Sequence, residues 1–192
     1  AKRIYHGAGA IIETSQGFDL DINHGVNYPF CTSRQISPAQ ALADCGLPIS
    51  AYGGSVVVVR PYPIRVGNAP GSTSGPYADD APEISWATVM QRAEVPDDAQ
   101  EELLSRELTT VTKRTRRVFE FSWERFRVML HMVRPTFVIL NHADQISWSA
   151  RGVREWSELP PKVVAVVSEM VAMGANVVAV GTGPRTGDLV WR

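Results

Sequence analysis

The chain has 192 residues, with 19 Lys and Arg against 20 Asp and Glu, a formal charge of −1 and 44% hydrophobic residues. That is one globular domain or part of a larger one, without the basic field that holds duplex DNA or an acidic membrane surface. Its longest apolar runs, 56–59 and 137–140, fall far short of the ~20 residues that cross a bilayer, so neither nucleic acid nor membrane is an expected partner.

In chain order, short β-rich apolar runs alternate with stretches of helical period, and each run stops at polar or glycine-bearing residues. This is the pattern of an α/β fold with a mostly parallel sheet and flanking helices. Residues 1–7 are basic but lack an apolar stretch of about 7–15 residues, so no secretory signal is expected. Ala10-Ile11-Ile12 is the first expected strand, giving way to Glu13-Thr14-Ser15-Gln16-Gly17. In Asp19-Leu20-Asp21-Ile22 the alternation puts two apolar residues on one face and two carboxylates on the other. With His24 and Gly25 following, this reads either as acid–base chemistry or as a half-buried strand. Two cysteines, Cys31 and Cys45, without zinc-type spacing, fit a reducing, cytoplasmic setting and no metal site in the chain.

Val56-Val57-Val58-Val59 is the second strand. Residues 60–82, rich in proline, glycine and serine, are too long for a routine connection and are expected to form a functional or flexible loop. The charged segment 97–108, with Leu103, Leu104 and Leu108, reads as a solvated surface helix. Over 122–133, Trp123, Phe126, Leu130 and Val133 share one face behind the N-cap candidate Ser122, and Pro135 closes the helix. Phe137-Val138-Ile139-Leu140 follows as the third strand. Pro161 opens a helix over 161–173 with the stripe Val163, Val166, Val167, Met170 and Val171, and Gly174 stands just past its end. Val177-Val178-Ala179-Val180 is the fourth strand.

Ligands of such sheets bind beyond the carboxyl ends of the strands, where loops collect free backbone N–H groups. In Asn141-His142-Ala143-Asp144 a carboxylate just past a buried strand can accept from the paired donors of a guanine edge; the segment is otherwise an ordinary turn. Gly181-Thr182-Gly183-Pro184 permits close approach to a ligand or makes a tight turn, and no Walker motif occurs. Lys113-Arg114-Thr115-Arg116-Arg117, preceded by Thr109-Thr110-Val111-Thr112, joins hydroxyls to guanidinium forks that suit carboxylate or phosphate. Taken alone, such a run is a solvated face.

Read together, these segments resemble the adenylosuccinate synthetase family. The stretch from Glu13-Thr14-Ser15-Gln16-Gly17 through Asp19-Leu20-Asp21-Ile22-Asn23-His24-Gly25 to Cys31-Thr32-Ser33 is similar to that family's EGAQG, LLDIDHG and VTSS signature. Arg65-Val66-Gly67-Asn68-Ala69-Pro70 resembles its RVGAGP loop, and residues 110–117 resemble its aspartate-binding ATTGRRRR loop. Residues 140–144 resemble LTKLD, and Gly181-Thr182-Gly183-Pro184 resembles STGP. The resemblance runs over nearly the whole chain yet corresponds to the C-terminal half of the family's chain. Residues 1–192 are therefore expected to be the C-terminal portion of a P-loop-NTPase-like adenylosuccinate synthetase fold.

The resemblance implies a carbon–nitrogen ligase of purine nucleotide biosynthesis, a homodimer when complete. It would join L-aspartate to the 6-position of a purine monophosphate, IMP, through a 6-phosphoryl intermediate, using GTP and Mg²⁺. Carried over by position, Gln16, Thr32 and Arg114 would contact the purine monophosphate. Thr110, Val111, Thr112, Lys113, Arg114 and Arg116 would hold the aspartate. Arg116, His142, Ala143, Asp144, Gly181, Thr182 and Gly183 would meet the nucleoside triphosphate.

The chain also departs from the family. Its GDEGKGK loop with the catalytic aspartate, and its catalytic histidine, have no counterpart here. No catalytic residue and no Mg²⁺ ligand is therefore expected in this chain, which would need an N-terminal half or partner subunit to act. His142 replaces the family's lysine, Asn141 its threonine, and Lys113 a glycine. Such divergence resembles the phage branch that makes 2-aminoadenylosuccinate from dGMP, with ATP in place of GTP. A reading from another class is a non-catalytic purine-nucleotide-binding module or regulatory subunit.

Overall fold

The computed structural model describes residues 9–192, so the leader reading of residues 1–7 lies outside the described residues. The elements begin with helix α1 (Pro38–Asp44) and strands β1 (Val56–Val59), β2 (Ile64–Arg65) and β3 (Glu83–Ile84). Helices α2 (Trp86–Ala93) and α3 (Asp97–Arg106), strand β4 (Arg117–Phe119) and helix α4 (Trp123–Val133) come next. Strand β5 (Phe137–Leu140), helix α5 (Pro161–Ala172) and strands β6 (Val177–Gly181) and β7 (Leu189–Trp191) complete the order.

In the main sheet, of order β1-β5-β6-β7, the first three strands are parallel and β7 is antiparallel. Parallel neighbours need a crossover, which α4 supplies before β5 and α5 before β6. A smaller antiparallel sheet has the order β2-β4-β3. Its strands of two or three residues are too short to show a period, and so are not legible in the sequence.

The helix punctuation agrees with its chemistry. Ser122 Oγ accepts the Arg125 amide at 3.0 Å at the start of α4. Arg134, at φ 47°, ends that helix, and Gly174, at φ 94°, follows α5. α3 stops at Arg106, earlier than expected, because the chain turns there to pair with the arginine loop. Leu108 bridges Thr115, and the Arg116 amide bonds the Glu107 carbonyl at 2.8 Å. A tertiary pairing thus overrides the helical period of the last two residues.

The main core lies on one face of the main sheet. There Phe126 and Met129 of α4 and Val163, Val167 and Met170 of α5 pack with Val138, Leu140, Val177 and Val180. On the other face Val56 and Val58 are 52% and 59% exposed. Parallel sheets are ordinarily buried on both faces, so among the described residues β1 presents a bare apolar face at the sheet edge.

Two expectations change. Ala10-Ile11-Ile12 forms no strand, and Ile11 is fully exposed; apolar residues favour a strand only where a partner ladder receives them. Phe18–Leu20 is a 3-10 turn rather than part of an alternating strand. Asp21 beyond it is fully buried, and its Oδ1 accepts the amides of Asn23 at 2.6 Å and His24 at 2.8 Å. The Ile36 amide bonds Oδ2. Burial works against its charge, but these donors hold Asp21 below the usual carboxylate range. Asp21 therefore organises its turn and is not available for acid–base work.

Candidate functional site

Because β1, β5 and β6 are parallel neighbours, their carboxyl ends lie side by side. They deliver Arg60, Asn141 and Thr182 to three adjoining loops. A cavity of about 960 Å³ opens beside the end of β1. Gln16, Thr110, Val111, Thr112, Arg114 and Arg116 line it, so residues expected for the purine monophosphate and for aspartate share one space. Thr32 and Lys113 are not in that lining. The Thr32 amide bonds the Leu20 carbonyl at 2.7 Å, and Lys113 is exposed in the left-handed region at φ 52°.

The arginines of the basic run divide by their partners. Arg117 clasps Glu83 with Nε at 2.9 Å and Nη2 at 2.5 Å, and its Nη1 donates to the Gly75 carbonyl at 2.6 Å. Buried Arg65 donates to the carbonyls of Ser74 at 2.9 Å and Phe30 at 2.6 Å. These two side chains pin the segment 60–82 where it passes the cavity. Arg116 donates to the Arg106 carbonyl at 2.9 Å.

Arg114 is half-buried in the cavity wall, and its guanidinium has no partner among the described residues. Its backbone is nevertheless fixed, since the Thr109 hydroxyl accepts the Arg114 amide at 2.9 Å and the Thr109 amide bonds the Arg114 carbonyl at 2.8 Å. Gly67 presses on the same loop, where a Cβ would meet the Thr115 carbonyl at 2.5 Å. Only glycine permits that approach. A fixed backbone carrying an unpaired guanidinium into a cavity is suited to binding an anion.

Another wall is formed by Tyr77, Asp19 and Arg125. The Tyr77 hydroxyl donates to Asp19 Oδ2 at 2.6 Å, and Arg125 Nε donates to Oδ1 at 3.0 Å. Burial, reinforced by Asp19, pushes the Tyr77 phenol well above its usual value, so it remains a donor at neutral pH.

The remaining expected residues form a second cluster outside the cavity lining. His142 is left-handed at φ 58°, Ala143 is buried and Asp144 is 6% exposed. Burial raises the Asp144 carboxyl, against the pull of Arg151, whose Nη1 lies 3.7 Å away. Burial, followed by the charge of Arg60, lowers the His142 imidazole to about 4, so it is neutral at pH 7. The Asn141 side chain occupies the space that a Cβ on Gly181 would need, and the Asp188 carboxylate does the same at Gly183. Thr182 is fully buried and donates to the Val153 carbonyl at 2.8 Å.

Sequence reasoning missed Arg60, Tyr77, Arg125 and Glu107. Glu107 is buried and accepts from Arg60 at 2.7 Å and Gln145 at 3.0 Å. A glutamate just past a charged helix carries no local sign of burial, and the signal would have been its place three residues before Thr110. Among the described residues no three His, Cys, Asp or Glu side chains are grouped to hold a metal ion. No helix there is long and apolar enough to cross a membrane.

The fold and cavity define an α/β protein with an arginine-lined cavity at the carboxyl end of a parallel strand. The sequence model for adenylosuccinate synthetase matches residues 1–148, and the chain belongs to the adenylosuccinate synthetase family. It is 34% identical over 182 residues to the N6-succino-2-amino-2′-deoxyadenylate synthase of Vibrio phage phiVC8, covering 95% of this chain and 46% of that protein. To the adenylosuccinate synthetase of Pyrococcus sp. (strain ST700) it is 28% identical over 187 residues, covering 97% and 49%.

Among solved structures, the cyanophage S-2L succinoaminodeoxyadenylate synthetase bound to dGMP and dATP as an energy donor superposes with a TM-score of 0.68. That match has 33% identity and covers 92% of this chain and 44% of the other. The fully ligated adenylosuccinate synthetase from Plasmodium falciparum gives a TM-score of 0.71 at 16% identity, a likeness of fold, over 92% and 48%. The chain thus spans less than half the length of each of these relatives.

Proposed function

We propose that this chain carries the purine monophosphate and aspartate sites of a ligase that joins L-aspartate to the 6-position of dGMP, with ATP as phosphoryl donor. The observation that carries the reading is the Arg114 guanidinium, unpartnered among the described residues, in the wall of a cavity that Gln16, Thr110 and Thr112 also line. A dicarboxylate and a nucleotide phosphate both call for such a fork. The choice of dGMP over IMP is supported by the relatives. Phage synthases of the deoxyadenylate type are 33–37% identical, whereas archaeal adenylosuccinate synthetases are 26–28% identical. ATP over GTP is supported by the cyanophage S-2L synthetase, which is bound to dATP as an energy donor.

In this reading the γ-phosphoryl group passes to O6 of the purine, and the aspartate amine then displaces phosphate at C6. Gln16 orients the purine, while Arg114 and Arg116 hold the anionic groups. Such a reaction depends chiefly on positioning and charge stabilisation. His142, Ala143, Asp144, Gly181, Thr182 and Gly183 are proposed to meet the triphosphate's base. The family's GDEGKGK loop has no counterpart in this chain. The ion and the catalytic acid and base are accordingly proposed to belong to the part of the family's length that this chain does not span. A cytoplasmic homodimer is part of the same proposal.

The test is turnover by the full-length protein given dGMP or IMP, aspartate, Mg²⁺ and ATP or GTP, followed by mass spectrometry of the nucleotides and by phosphate release. Succino-product from dGMP and ATP is expected. If no pairing yields product, the ligase reading falls, and dGMP binding without turnover would leave a nucleotide-binding module in its place.

A further inference from the structure

One buried carboxylate stands between the cavity and the cluster that follows β5. Glu107 is 2% exposed, and its Oε1 accepts from Arg60 Nη2 at 2.7 Å and from Gln145 Nε2 at 3.0 Å. Gln145 directly follows Asp144, and its own Oε1 lies 3.4 Å from Arg60 Nη2. Among the described residues Glu107 Oε2 has no hydrogen-bond donor, and Arg116 Nη1 is 3.8 Å from it. Arg60 Nε is likewise buried without a partner among the described residues. The backbone bond from the Arg116 amide to the Glu107 carbonyl, at 2.8 Å, keeps these residues adjacent whatever their side chains do.

A buried carboxylate oxygen left unpaired beside a guanidinium is a half-made ion pair, and buried polar atoms are normally satisfied. Arg116 Nη1 donates to the Arg106 carbonyl at 2.9 Å, and beyond that bond its guanidinium faces both Glu107 Oε2 and any anion in the cavity it lines, which compete for it. Gln145 ties the same carboxylate to the segment that carries His142 and Asp144. A shift of that segment therefore moves the group that competes for Arg116.

We infer that Glu107 is a positioning residue which couples ligand binding at residues 142–145 to Arg116 in the cavity, so that triphosphate and aspartate raise each other's affinity. The inference rests on the ligase reading and supplies the link between its two sites. Linkage requires the same factor in both directions.

Isothermal titration of the full-length protein with dGMP present tests it. Aspartate affinity is measured with and without a non-hydrolysable ATP analogue, and analogue affinity with and without aspartate. The wild type is expected to show a common factor of about fivefold or more. Glu107→Gln keeps the size of the side chain but removes the charge that competes for Arg116, and the factor should fall to about one, with melting temperature as the control for folding. Gln145→Met cuts the tie to residues 142–144 while leaving the ion pairs. It should abolish the coupling too, and it decides the matter if Glu107→Gln does not fold. A factor unchanged in folded Gln145→Met, or a factor of one in the wild type, overturns the inference. Failure of the wild type to bind any nucleotide overturns the ligase reading itself, a result distinct from binding without coupling.

Discussion

Arg114 and Arg117 belong to one basic run, and their surroundings give them opposite work. Arg117 is committed to Glu83 and the Gly75 carbonyl, whereas Arg114 has no partner among the described residues and lines the cavity. Arg114→Ala should weaken aspartate and dGMP binding by about tenfold to a hundredfold, the scale of hydrogen bonds to charged groups worth about 1.5–3 kcal/mol. Its melting temperature should stay that of the wild type, as calorimetry with and without ligand would show. If the variant unfolds, Arg114 is structural and the site assignment is wrong. At His142 the sign of the pH effect follows from burial. The unfolded chain takes up that proton near 6.5 and the folded chain only near 4. Stability is therefore lost as pH falls from about 6.5 towards about 4 and changes no further below that through this group. Urea titrations across the window should show a slope that His142→Asn removes. Asp21, held below its usual 3.8, contributes a separate loss in stronger acid.

At the scale of elements, α4 and α5 are legible because caps, stripes and terminal residues are local features of the chain. The strands are half-legible: four valines in a row at β1 announce a strand, but an unbroken apolar run hides which face is core. The structure separates the faces. Val138 is completely buried, while Val58 on the neighbouring strand is 59% exposed. Val138→Ala should cost about 2–3 kcal/mol in chemical denaturation, since it leaves a cavity in a packed layer. Val58→Ala should change stability by no more than about 0.5 kcal/mol. Equal losses would mean that the β1 face is covered in solution. The small sheet of β2, β3 and β4 left no sequence signal, yet it carries Arg65 and Arg117 and so fixes the segment over the cavity.

For the whole molecule, a ligand that binds in the cavity of the folded chain alone must stabilise it by mass action. Saturating dGMP with aspartate, at about a hundred times their dissociation constants, should add about 2.7 kcal/mol for each independent site, read as a rise in melting temperature. Ligand-independent melting would remove the cavity from consideration as the site. By itself the sequence determined the alternation of strands and helices, their caps, and the order of motifs that marks the family, because these depend on neighbours a few residues apart. Tertiary structure alone decided that Arg114 has no partner among the described residues, that Thr32 lies outside the cavity lining, that Asp144 is buried beside Arg151 and that Glu107 bridges two regions. Each of those outcomes depends on which distant side chain arrives as a partner, and a linear pattern of residue types does not encode that.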